Sequence, residues 1–166
     1  MIGSKGIRLL EYNARFGDPE TMNVLSILEN DLVDVCEAII EEKLHQLPIL
    51  FQKCATVCKY VVPEGYPDKP VKGAKLDLSG VPKETANFRI FKAAVEERNG
   101  ELYMTGSRAL ACVGIGETLE EAEVLAERGA GSIKGPVFHR KDIGTQALIQ
   151  KRIDHMESLA ASHQVS

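Results

Sequence analysis

The sequence predicts an α+β fold in two unequal parts. Three observations carry that prediction. Helical periodicity dominates up to about residue 52, where the pattern holds a single strand. From about residue 54, strand patterns follow one another, with Asn99-Gly100 as a tight hairpin signal. Two helical stretches then close the chain. The implied division is a piece over 1–52 and a β-rich module with two helices over 53–166.

The elements can be justified in order. "IRLLEYN", residues 7–13, reads as a strand, and alternation puts Ile7, Leu9, Glu11, Asn13 and Arg15 on one face. A helix should follow, with Asp18 as N-cap, Pro19 at its first position and Glu20 in its first turn. Leu32, Val35, Cys36, Ile39 and Ile40 repeat at helical spacing, and Pro48 lies beyond their end. "CATVCKYVVP" reads as a strand, and "EGYPDKPVKG" as a turn-rich loop in which Tyr66 packs. "KLDL", "NFRIFKAAVEE" and "ELYMTGSRALACVGIG" supply further strands. Thr118 and Glu121 form a capping box, with Gly129 or Gly131 able to end that helix. The last helix covers much of "TQALIQKRIDHMESLAA", and the tail "SHQVS" is expected to fray.

Composition narrows the functional classes. Apolar residues make up 44% of 166, enough for a packed core, and the net charge is −4. No run of Lys or Arg marks a nucleic-acid or membrane surface. With no Trp and few aromatics, base-stacking platforms are not expected. No apolar run reaches bilayer length and the start lacks the apolar stretch of a signal peptide, so a cytoplasmic protein is the expectation. Cys36, Cys54, Cys58 and Cys112 lack the partners of a zinc site and read as reduced, buried packing residues. His45 and His139 read as solvated or internally satisfied.

The strand end is chemically pointed. An apolar run turns into Glu11, Asn13, Arg15, Asp18 and Glu20. A carboxylate and an amide two residues apart on one strand face offer two oxygens to a hard cation such as Mg2+, which keeps waters and substrate phosphates as its other ligands. An arginine two residues further on can meet the same phosphate. As a bare pattern, E-x-N-x-R recurs by chance, and a solvated strand edge with an Asp18 cap competes with it.

The longer string "LLEYNARFGDPET" resembles the glycinamide ribonucleotide synthetase family, also called phosphoribosylamine–glycine ligase. "ATVCKYVVPEGYP" followed by "VKG", "GSRALACVGIGETLEEA" and "FHRKDIGTQAL" resemble further family segments in the family's order, with archaeal members nearest. Met22, Glu64 and Gln146 depart from the usual Gln, Gly and Arg. The resemblance implies the C-terminal part of an ATP-grasp domain over 1–52. It implies the ligase's C-terminal domain, similar to that of biotin carboxylase, over 53–166. The substrate domain and nucleotide-gripping lobe have no counterpart in these residues, so the chain alone is expected to be inactive.

The resemblance further implies an ATP-dependent ligase of purine biosynthesis that joins glycine to 5-phosphoribosylamine through a glycyl phosphate. Glu11 and Asn13 would bind Mg2+ or Mn2+, Arg15 would act at the transferring phosphoryl group, and Gly17, Asp18 and Glu20 would meet the small substrate. Arg140, Lys141 and Asp142 are candidates for contact with a phosphate or an inter-domain surface, against an ordinary polar loop and helix cap. The implied partners are ATP, glycine, 5-phosphoribosylamine and the remaining lobes of the enzyme, with no nucleic acid and no membrane. Two alternatives stand beside this: another ATP-grasp carboxylate–amine ligase, and a non-catalytic packing or interaction module.

Overall fold

The computed structural model describes residues 2–3 and 6–163. Their order is β1 (Ile2–Gly3), β2 (Gly6–Ile7), α1 (Glu20–Leu25), α2 (Leu32–Ile40), a 3-10 turn at Leu44–Gln46, then β3 (Ala55–Pro63) and β4 (Lys75–Leu76). There follow β5 (Phe88–Lys92), β6 (Val95–Arg98), β7 (Glu101–Met104), β8 (Leu110–Gly116), α3 (Leu119–Ser132), β9 (Val137–His139) and α4 (Gln146–His163). The architecture is mixed α and β, with antiparallel sheets.

The larger sheet has the order β5-β8-β3-β9, and a smaller one the order β4-β7-β6. β3 and β8 run together over seven residue pairs, Ala55↔Gly116 to Val61↔Leu110. Strand alternation therefore sends Val57, Lys59 and Val61 to one face and Cys58, Tyr60 and Val62 to the other. The first face carries α3, whose capping box at Thr118 and Glu121 fixes where it begins. The helix approaches so closely that a Cβ on Gly114 would stand 2.0 Å from the Ala122 carbonyl oxygen. Val61, Leu110 and Cys112 join Leu76 and Met104 from the smaller sheet in one core. Asn99 and Gly100 both take positive φ, as a two-residue hairpin between β6 and β7 demands.

Several expectations need correction. Residues 8–13 form no strand, because a strand exists only through ladder partners, and β2 pairs with nothing beyond Ile2–Gly3 among the described residues. Asp18 does not cap α1, since Pro19 occupies that position with no side-chain cap and the Asp18 carboxylate is turned towards β3. α2 does carry a side-chain cap, from Asp31 to the Val33 amide. α3 runs through both Gly129 and Gly131 to Ser132. Gly129 instead makes room for Phe88, whose ring lies 2.3 Å from where its Cβ would be. β9 was not foreseen, being short and edge-placed. Cys36 is exposed, while only Cys112 is fully buried. Of the expected frayed tail, residues 164–166 lie outside the described residues.

Candidate functional site

Glu11, Asn13 and Arg15 are exposed on an extended segment. The Asn13 amide donates to Glu11 Oε1 at 3.3 Å, so the two polar groups lie side by side. A carboxylate and an amide oxygen within such reach fit a hard divalent cation. Among the described residues no three His, Cys, Asp or Glu side chains gather at one point. A cation held by this pair would complete its shell with water or phosphate oxygens.

Residues 17–20 are arranged more tightly. The position of a Cβ on Gly17 falls 2.5 Å from Glu20 Oε2, so the glycine lets that carboxylate fold back over the turn before α1. Asp18 is gripped by the β-module. Its Oδ1 accepts from the Tyr60 hydroxyl at 2.5 Å and its Oδ2 from Arg108 Nη2 at 2.9 Å. Arg108 also donates to the Asp18 carbonyl at 3.3 Å and lies over the Tyr60 ring, 4.9 Å from its centroid.

Beside this grip lies a cavity of about 380 Å³, walled by Pro19, Cys58, Tyr60, Tyr66, Arg108 and Arg140, with Val62, Phe138 and Ile143 behind them. The side chains of one face of β3 make its floor, and Arg140 comes in from just beyond β9. Two guanidinium groups edge the apolar floor, each already paired with a carboxylate: Arg108 with Asp18 and Arg140 with Asp142. Burial, reinforced by the Asp18 charge, pushes the Cys58 thiol up to about 12, so it stays protonated and is no nucleophile. Burial and the hydrogen bond to Asp18 raise the Tyr60 hydroxyl too, keeping it a donor at neutral pH. A more open hollow of about 710 Å³ lies at the start of α3, lined in part by Glu120 and Glu121, and presents no cation.

Arg140, Lys141 and Asp142 thus divide in use. Arg140 holds Asp142 through Nε at 3.0 Å and Nη2 at 2.6 Å while lining the cavity. Lys141 contributes its carbonyl to the buried Lys59. Sequence reading missed Tyr60, Arg108 and Lys59, and treated Tyr66 as a packing residue. One signal was present for Lys59: a charge in the middle of the apolar run "ATVCKYVVP". Nothing local marks Tyr60 or Arg108, which meet Asp18 from sequence distances of 42 and 90.

The fold and this geometry together define a class: an antiparallel α+β module bearing an arginine-edged cleft beside a polar motif segment. Comparison with known proteins makes this particular. The family model for "Phosphoribosylglycinamide synthetase, C domain" matches residues 56–146, and the chain belongs to that family. It is 52% identical over 159 residues to the phosphoribosylamine–glycine ligase of Methanocaldococcus jannaschii, covering 96% of this chain and 36% of the relative. The Methanocella arvoryzae ligase is 50% identical with the same coverage. The crystal structure of phosphoribosylamine–glycine ligase from Thermotoga maritima matches 81% of this chain and 32% of its own, with a TM-score of 0.61 and 31% identity. The chain therefore spans about a third of the length of the relatives it matches. Among the described residues no helix is long and apolar enough to cross a membrane.

Proposed function

We propose that this chain is the C-terminal portion of a cytoplasmic, ATP-dependent ligase that joins glycine to 5-phosphoribosylamine in purine biosynthesis. Residues 1–52 would belong to an ATP-grasp domain, and 53–166 to a C-terminal domain like that of biotin carboxylase. One observation carries the reading. In a chain of this family, Glu11 and Asn13 meet at 3.3 Å on an exposed segment that leads directly into Gly17, Asp18 and Glu20.

The reaction needs an activated acyl group, because a carboxylate oxygen is a poor leaving group. The glycine carboxylate attacks the γ-phosphorus of ATP and ADP departs, giving glycyl phosphate. The amine of phosphoribosylamine then attacks the acyl carbon. The carbon–oxygen bond to phosphate breaks, an amide forms, and a proton is lost from nitrogen. In-line transfer of this kind depends on positioning and charge neutralisation more than on covalent help. Glu11 and Asn13 would hold Mg2+ or Mn2+, which when bound offsets the negative charge of the β- and γ-phosphates. Arg15 steadies the transferring phosphoryl oxygens. Gly17, Asp18 and Glu20 line the glycine end. Asp18 does so while anchored to Tyr60 and Arg108, which fixes its orientation. Arg108 and Arg140, across the 380 Å³ cavity, suit the phosphate monoester of the amine substrate.

The test is a chimera in which this chain replaces the matching third of the Methanocaldococcus jannaschii ligase. It should hydrolyse ATP only when glycine and phosphoribosylamine are present. Glu11→Ala should lower that rate by about two orders of magnitude or more with the fold intact. A chimera that folds, and turns over as fast with the Glu11→Ala change as without it, would remove the pair from the mechanism.

A further inference from the structure

β3 has a lysine where its face is otherwise apolar. Lys59 lies between Val57 and Val61 on the face under α3, and its side chain has no exposed surface. Burying an ammonium group is costly unless every hydrogen finds an acceptor. Here all three do. Nζ donates to Glu123 Oε1 at 2.6 Å, to Glu127 Oε2 at 2.6 Å and to the Lys141 carbonyl at 2.8 Å. The two carboxylates come from successive turns of α3, while the third acceptor lies beyond β9. Glu127 also receives His139, whose Nε2 lies 3.0 and 3.1 Å from its oxygens.

Arg140 therefore has both flanks tied to one network, His139 by its side chain and Lys141 by its backbone. Alternation along this edge puts His139 under α3 and sends Phe138 and Arg140 to the opposite face, where both line the cavity. A buried ion pair is poor value for stability alone, since an apolar side chain of equal volume does as well or better. What an apolar residue does not do is hold the Lys141 carbonyl. We propose that Lys59, Glu123, Glu127 and His139 are positioning residues that fix the 139–142 segment and so aim the Arg140 guanidinium into the cleft it shares with Arg108. This rests on the reading of that cleft as a phosphate site.

The experiment uses this chain and ribose 5-phosphate as probe, with binding followed by NMR titration and backbone 15N order parameters measured for residues 139–143. Arg140→Gln should abolish measurable binding. Lys59→Met, Glu127→Gln and His139→Gln should each weaken binding about tenfold, the equivalent of one charge-assisted hydrogen bond. Each should also lower the order parameters at 140–142 while those of β8 stay unchanged. If Lys59→Met does not fold, Glu127→Gln and His139→Gln decide the matter. Full affinity and unchanged order in the network variants, with Arg140→Gln defective, overturns the positioning role and leaves the phosphate site standing. If the unmodified chain does not bind the probe, or Arg140→Gln binds as tightly, the phosphate site fails. The order parameters at 140–142 then decide positioning alone: a drop sustains it and no change ends it.

Discussion

Residues 6–52 and residues 55–145 obey the same patterning rules with opposite results. In the second stretch, apolar periodicity ends in burial: Val61, Ala109, Leu110, Ala111, Cys112 and Val113 have no exposed surface. In the first, no residue is buried, although Leu9, Leu10, Tyr12, Phe16, Ile39 and Ile40 are all large and apolar. Ile40 is 80% exposed on a helix of clear amphipathic spacing. Patterning states which face of an element needs a partner, and only the rest of the structure supplies one. An exposed apolar surface of this extent marks a place where other structure docks. The chain spans about a third of the length of the relatives it matches.

The sharpest way to break this comparison is to remove the same side chain in each region. Leu110→Ala, at a fully buried site, should destabilise the chain by about 3–5 kcal/mol. Leu10→Ala, at a site 71% exposed, should change stability by no more than about 0.5 kcal/mol. Urea unfolding of both variants measures this. Equal losses would mean that residues 6–52 are packed as firmly as the module and that the contrast is wrong.

The same contrast explains what could be read beforehand. The hairpin at Asn99-Gly100, the capping box at Thr118 and the amphipathic spacing of α2 are local in sequence, and local chemistry decides them. The strand over 7–13 was not decided locally. Its alternation is genuine, but strand character needs a ladder partner, and residues 8–13 have none among those described. Asp18 carried a correct polar signal and the wrong partner. Helix capping is a local inference, whereas its actual contacts, Tyr60 and Arg108, come from β3 and the loop before β8. Lys59 could have been flagged as a charge inside an apolar strand. That its third hydrogen bond reaches Lys141 depends on tertiary structure alone.

A smaller effect concerns acid. Burial works to raise the Glu127 carboxyl, but hydrogen bonds from Lys59 and His139, with their charges, outweigh it and hold the group below its ordinary value of 4.5. A carboxyl whose pKa is lower folded than unfolded stabilises the fold above the unfolded value, and loses that contribution as pH falls through the folded one. The module should therefore weaken below about pH 4.5. Asp77, Glu96, Glu97, Glu101 and Asp142 are also held low, so the whole acid loss is shared. Comparing Glu127→Gln with the unmodified chain isolates one part. The variant should be less stable near neutrality, and its deficit should shrink as pH drops from about 5 to about 3. A deficit that stays constant across that range would take the Lys59 network out of the acid response.

The smallest expected effect tests the seam between the two regions. Tyr60 and Arg108 from the module grip Asp18, and Asn23 donates to Thr56 Oγ1 at 3.0 Å. These contacts are polar and partly exposed, unlike the apolar packing inside the module. Tyr60→Phe removes one donor and leaves Asp18 with Arg108, so the cost should be about 1 kcal/mol or less. A loss that small is better sought locally than in a global unfolding curve. The Thr21 amide, bonded to the Gly17 carbonyl at 2.9 Å, should exchange with solvent faster in Tyr60→Phe. Amides of β8 should keep their protection, since their ladder lies wholly within the module. Accelerated exchange in both places would mean that the grip on Asp18 supports the module itself. No acceleration at Thr21 would mean that Arg108 alone holds Asp18, and that the Tyr60 hydroxyl is dispensable for orienting it at the cleft.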